Sequence, residues 1–216
     1  CDFTSRSQRQ VYGVAKALHV AGTVAAQRGD YDRAIECYQT SLEIRSRADD
    51  RSSMAALLSN LGVVAEYKGD YPASRAHHER ALELRREVGD RWAIAVSMIN
   101  LGMIATLQKR FDEAGERFDQ ALRLSREVGD GWMVALCHNN LGNTLRARRD
   151  TAGAGAHYSQ SLRAYRDFQD RWALALLLED VALNGLLVGF FHPIVVEPDL
   201  ADGEDLTLEC RSSCAR

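Results

Sequence analysis

Residues Trp92–Val128 read WAIAVSMINLGMIATLQKRFDEAGERFDQALRLSREV. Two amphipathic helices are written there back to back. Apolar side chains fall first at Ile94, Met98, Leu101, Ile104, Ala105 and Leu107, the three-and-four spacing of one helix face. A second stripe follows at Phe111, Ala114, Phe118, Ala121, Leu122 and Leu124. A proline inside either stripe would remove a backbone donor and break it. The chain has 3 prolines, and two of them lie beyond residue 190.

Outward from this segment the same phrases return. Asn-Leu-Gly stands at Asn60-Leu61-Gly62, Asn100-Leu101-Gly102 and Asn140-Leu141-Gly142, forty residues apart, with Ala21-Gly22 one period earlier. Glu87-Val88-Gly89-Asp90 recurs as Glu127-Val128-Gly129-Asp130. Gly29-Asp30-Tyr31 returns as Gly69-Asp70-Tyr71, Lys109-Arg110-Phe111 and Arg149-Asp150-Thr151. Glycine suits the left-handed residue that ends a helix, and the aspartate after it caps the next one. Asp30, Asp70, Asp90, Asp130 and Asp150 are therefore the expected caps of nine helices between residues 11 and 188.

Gly62, Gly102 and Gly142 each cost a helix about 1 kcal/mol against Ala. That cost is expected where two backbones approach, with Ala34, Ala114 and Ala154 facing them and Tyr38, Phe118 and Tyr158 filling the next gap. Ser74 and His78 stand in the corresponding places of the second period, which makes it the weakest match.

The Leu-Gly, Ala, aromatic and Ala positions resemble the tetratricopeptide repeat family over residues 11–188. The usual period of that family is 34 residues. The forty-residue variety looks like the repeats attached to bacterial signalling ATPases and transcription regulators, and like those of spindle-orientation adaptors in animals; the Arg-, Ala- and Gly-rich composition leans bacterial. The resemblance implies an all-α, right-handed superhelical solenoid of antiparallel helix pairs. Residues 1–10 would flank four repeats, at about 11–50, 51–90, 91–130 and 131–170, followed by a single helix at 171–188.

In the family the first helices line a concave groove. The asparagine before Leu-Gly points into it and grips a ligand backbone in peptide-binding members. Asn60, Asn100 and Asn140 match that position, and an amide offers a peptide unit both donor and acceptor. The alternative is an asparagine bonded to its own or a neighbouring helix. The same register assigns Lys16, His19 and Thr23 to the groove from the first repeat, and Ser59, Val63 and Tyr67 from the second. Ile99 and Met103 come from the third, with Asn139, Asn143 and Arg146 from the fourth. Core packing is the competing reading for Ile99 and Met103. Lys16 and Arg146 are too far apart to rebuild the carboxylate clamp of some family members.

The chemistry of catalysis is missing from the sequence. There is no GxxxxGK, GxSxG or HExxH. His77 and His78 point about 100° apart on a helix and cannot readily share an ion; both read as exposed helix residues, one half-packed. Arg28-Gly29-Asp30 is a repeat turn. The net charge of −3 and pI near 6.1 do not favour a nucleic-acid partner. Among 5 cysteines there is no CxxC pair, and no cofactor is expected. The chain reads as cytosolic and reduced. It starts at Cys1 rather than Met, which suggests a piece cut from a longer chain.

Trp172–Phe191 is apolar, but Glu179 and Asp180 in its middle argue against a membrane span. After Gly189 the pattern fails: Pro198 would interrupt a further helix, and residues 189–216 read as an irregular, disordered tail. The leucine-rich helix at 171–188 is wrong for a polar solenoid cap. Self-association through residues 171–191 is the expected result. The leading function is a non-enzymatic protein-interaction module that holds an extended peptide or partner segment, as the scaffold or sensor of a larger bacterial regulator. The alternatives are a self-assembly module and a small-molecule-sensing accessory domain.

Overall fold

A computed structural model describes the backbone of residues 2–167 and the side chains of residues 11–166. The expected ninth helix at 171–188 and the tail at 189–216 lie outside the described residues. Within them there are eight helices and no strand. They are α1 (Asp2–Gln27), α2 (Tyr31–Arg47), α3 (Arg51–Tyr67), α4 (Tyr71–Val88), α5 (Arg91–Leu107), α6 (Phe111–Val128), α7 (Gly131–Ala147) and α8 (Thr151–Asp167). They pack as the pairs α1–α2, α3–α4, α5–α6 and α7–α8, and each pair stacks on the next. The result is an all-α solenoid of helix pairs.

Every turn passes through one left-handed residue, whatever its side chain. Gly29, Gly69, Gly89 and Gly129 hold φ of 78, 76, 78 and 74°. Asp49, Lys109 and Arg149 hold φ of 51, 60 and 68° without glycine's freedom. Asp30, Asp70, Asp90, Asp130 and Asp150 each accept from the backbone N–H three residues on. Asp50 does the same for Ser53, a sixth cap hidden behind the non-glycine turn. Arg110 offers α6 no side-chain cap; Asp112 and Glu113 put negative charge in its first turn instead.

The helical glycines correct one expectation. A Cβ on Gly102 would meet Phe118 Cε1 at 2.6 Å, and one on Gly142 would meet Tyr158 Cε1 at 2.5 Å. Gly22 faces Tyr38 in the same way, and Gly62 faces His78. The space a side chain would need is taken by the ring sixteen residues later, not by a facing alanine. Ala34, Ala114 and Ala154 are buried beside these rings on the second helices.

His78 is the second correction. It is 0 % exposed, not a half-packed surface residue. Neither of its nitrogens has a hydrogen-bond partner, nor does the buried Ser74 Oγ. Burial, then Arg85 and His77, push its pKa down to about 4. A neutral imidazole thus fills the ring position of the second repeat.

Ion pairs thirty-six residues apart line the rim, two between neighbouring helix pairs (Lys68–Asp32 and Arg148–Asp112) and two within one (Arg51–Glu87 and Arg91–Glu127). Lys68 reaches Asp32 at 2.8 Å and Arg148 reaches Asp112 at 2.7 Å. Arg51 meets Glu87 at 2.6 Å, and Arg91 meets Glu127. Exposed pairs of this kind contribute about 0–1 kcal/mol each, so they set register more than stability.

Candidate functional site

The candidate site is the face carried by α1, α3, α5 and α7. Its three asparagines share one register and have three different environments. Asn60 donates from Nδ2 to His19 Nε2 at 2.8 Å, from α3 to α1. Asn140 donates to Leu136 O of its own helix at 3.0 Å. The Asn100 side chain makes no hydrogen bond with the described residues.

The preceding repeat accounts for the difference. By the forty-residue repeat, the Asn60–His19 bond sets a register in which each asparagine is placed opposite the residue forty-one positions earlier. For Asn100 that residue is Ser59, whose hydroxyl is too short to reach it and is itself unpartnered. For Asn140 it is Ile99, which has nothing to accept with, so the amide turns back to its own helix. The structure therefore brings His19 and Asn60 together and leaves Asn100 available.

The other assigned positions divide by exposure. Lys16 is exposed, as are Val63, Tyr67 and Met103 at 37, 68 and 39 %. Tyr67 also stacks on Tyr31, with ring centroids 5.7 Å apart. Ile99 and Ser59 are buried, at 4 and 8 %, and present little to a ligand. For Ile99 the core-packing reading therefore applies. Asn139 and Arg146 are half-buried. Thr23 donates to His19 O and accepts from Tyr38 OH at 3.2 Å. Asn143 Oδ1 accepts from Tyr158 OH at 2.7 Å.

Sequence reasoning passed over Glu66. It is the only acidic residue of α3, α5 and α7, and the stretch 11–27 of α1 has none. It is half-buried, its carboxylate has no hydrogen bond or ion pair with the described residues, and burial alone raises its pKa. The spacing signal was available: Glu66 lies three residues after Val63 and one before Tyr67, on the same side of α3.

A second polar group lies off this face. His138, at 4 % exposure, and His157 approach Nδ1 to Nδ1 at 3.0 Å. Arg126 lies 3.4 Å from His138 Nε2 and is always a donor. His138 Nε2 therefore accepts, and its Nδ1–H donates to His157. Burial first, then His157 and Arg126, push the His138 pKa down to about 4. Among the described residues no three His, Cys, Asp or Glu side chains are placed to hold a metal. None of their helices is long and apolar enough to cross a membrane. A depression of about 520 Å³ beside His157 is lined by Asp112, Glu116, Asp119 and Arg148, and none of the three asparagines borders it.

A stack of helix pairs repeating every forty residues defines a helical repeat fold. The profile of the tetratricopeptide repeat matches residues 13–87 and 93–167. The chain belongs to the tetratricopeptide repeat family. A search of curated proteins finds no match. Among solved structures, BtubC (BKLC) from P. vanneervenii is similar at a TM-score of 0.66 and 18% identity, over 89% of this chain and 87% of that one. The apo form of RapI is similar at a TM-score of 0.64 and 18% identity. A Rap protein complexed with competence and sporulation factor is similar at 0.64 and 14%. Each of these two similarities covers 79% of this chain and 50% of the Rap protein, so this chain spans about half their length. At such identities the likeness is one of fold.

Proposed function

We propose that this chain is a non-catalytic protein-interaction module that holds an extended peptide or partner segment along α1, α3, α5 and α7. The reading is carried by Asn100. Its side chain is half-buried and unpartnered among the described residues, and Val63 and Met103 on the same face are exposed. A polar group in that state gains a donor and an acceptor when a peptide unit lies across it, at little desolvation cost. Apolar side chains on that face supply the area. A Rap protein of similar fold has been solved with competence and sporulation factor, which supports reading this chain as one that receives a partner. We further infer that the module is the scaffold or sensor part of a larger bacterial regulator in the cytoplasm.

The test is an immobilised full chain probed with a degenerate library of twelve-residue peptides. Asn100→Ala should weaken retention of the selected peptides by up to about tenfold, the worth of one neutral hydrogen bond. Asn100→Leu should weaken it further, and neither should lower the melting temperature. Unchanged retention with a lowered melting temperature makes Asn100 a structural residue and ends the reading.

A further inference from the structure

In the register of Glu66, α1 carries Ala26, α5 Thr106 and α7 Arg146, so among the described residues Glu66 is the one carboxylate at this position. Thr106 Oγ1 and Thr144 Oγ1 meet at 3.1 Å between α5 and α7. Forty residues earlier the same two positions are Glu66 and Ile104, and Ile104 is 1 % exposed. By that register the carboxylate leans on an apolar neighbour that offers it nothing. Lys68, two residues on, is engaged elsewhere, with Asp32 at 2.8 Å. Other glutamates of the described residues, such as Glu79, Glu87, Glu113 and Glu127, each have an arginine. A carboxylate partly withdrawn from water without compensation is costly, and a cation brought from outside removes that cost.

The surroundings specify what brings the cation. Val63 and Tyr67 flank Glu66 on α3, and Met103 and Leu107 are exposed on α5. The aliphatic stem of a lysine or arginine covers such surface while its head stays polar. Tyr67, at 68 % exposure, adds an aromatic face to which a cation is attracted. Asn100 lies one turn before Ile104 on α5, close enough for the same segment to reach both. An acidic segment would bring like charge to Glu66, and the site's basic residues, Lys16 and Arg146, belong to the outer repeats.

We infer that this face selects a segment carrying a lysine or arginine, whose cationic head Glu66 receives while Asn100 holds the adjoining backbone. This rests on the peptide-holding reading above. The ligand is thus a basic peptide segment with apolar neighbours.

The experiment uses the full chain and twelve-residue degenerate peptide pools, each with one central position fixed as Lys, Arg, Gln, Glu or norleucine. The Lys and Arg pools should be retained on the order of tenfold better than the Glu pool, as expected of a charge-assisted contact. Glu66→Gln should reduce that preference to about twofold or less, and Glu66→Lys should invert it. Salt should weaken the preference, as it does any partly exposed charge pair. Glu66→Gln should not lower the melting temperature, since the uncompensated carboxylate is itself costly. If pools are retained and Asn100→Ala weakens them, but Lys and Arg are not preferred, the inference about Glu66 is overturned and the groove reading stands. If no pool is retained, or Asn100→Ala has no effect, the groove reading falls and this inference with it.

Discussion

The outer repeats and the inner repeats close their helix pairs by different means. In the first and fourth, buried serines cross from one helix to the other: Ser41 Oγ donates to Ala15 O at 2.8 Å and Ser161 Oγ to Ala135 O at 2.9 Å. Their rings are tyrosines, and the hydroxyls of Tyr38 and Tyr158 donate to Thr23 and Asn143. In the second and third, Ala81 and Ala121 replace the serines, and His78 and Phe118 replace the tyrosines. The residues fifteen before those rings are Val63 and Met103, which have no oxygen to offer. Donor and acceptor are present together at the two tyrosines and absent together at Phe118, and His78 is the exception, a buried imidazole with no partner. The lesson concerns the binding face. Thr23, Val63, Met103 and Asn143 all belong to it, and its apolar middle and polar ends are set partly by the rings behind it.

The largest test of this contrast removes an inner ring. Phe118→Ala should cost about 3–5 kcal/mol in denaturant unfolding, as for a deleted core aromatic. On that background Gly102→Ala should be stabilising, because the ring that excludes its Cβ is gone and alanine favours helix by about 1 kcal/mol. In the wild-type protein the same substitution should destabilise. If Gly102→Ala destabilises both backgrounds equally, the ring is not what keeps residue 102 bare.

The inner histidine sharpens the contrast through pH. The folded pKa of His78, about 4, lies below the unfolded value near 6.5. Between those values the unfolded chain binds more protons, so stability falls as pH drops through the window and is fully present above it. The loss approaches about 1.4 kcal/mol per pH unit for each such histidine, and His138 contributes in the same direction. His78→Phe, which copies the third repeat, should flatten the slope between pH 6.5 and 4 and raise stability at pH 5. An unchanged slope would mean that His78 can take up its proton without unfolding.

A smaller effect is expected at an outer ring. Tyr158→Phe removes one donor from Asn143 and should cost about 0.5–1.5 kcal/mol. Adding Asn143→Met rebuilds the inner-repeat pairing and should recover much of the loss, a coupling that a double-mutant cycle reads directly. Additive costs would show the two substitutions to be independent. The smallest change concerns the turns, where the contrast does not apply. Lys109→Gly relieves a left-handed φ of 60° and should stabilise by up to about 1 kcal/mol, offset by glycine's greater freedom when unfolded.

Much of the architecture was legible because it is periodic. The caps follow from Asp after Gly, and the helices from their apolar stripes. Asp50 was missed because Asp49, rather than glycine, holds the left-handed turn before it. The spacing from Gly22, Gly62, Gly102 and Gly142 to the four rings is constant in the sequence, yet it names no contact until the helices are paired. The site was legible as a register and not as a set of partners. Which asparagine is left available depends on His19, Ser59 and Ile99 one repeat earlier, and a motif read within one repeat cannot contain that. Glu66 escaped for a related reason: a glutamate near a helix end reads as solvated, and its partial burial depends on the neighbouring repeats.

The rim pairs also say where this array could be cut. Between Asp32–Lys68 and Asp112–Arg148 lies the equivalent couple Pro72 and Gln108, where both charges are missing. Excising residues 71–110 would therefore sever neither of the flanking joints. It would remove Glu87 together with Arg91 and place Glu127 opposite Arg51, so that joint re-forms as well. The same excision would join α3 to α6, with Phe118 set over Gly62 and Val63. The unit that could be lost or copied without a scar thus begins at a second helix and ends at the turn after a first one, half a repeat out of phase with the helix pairs visible in the fold.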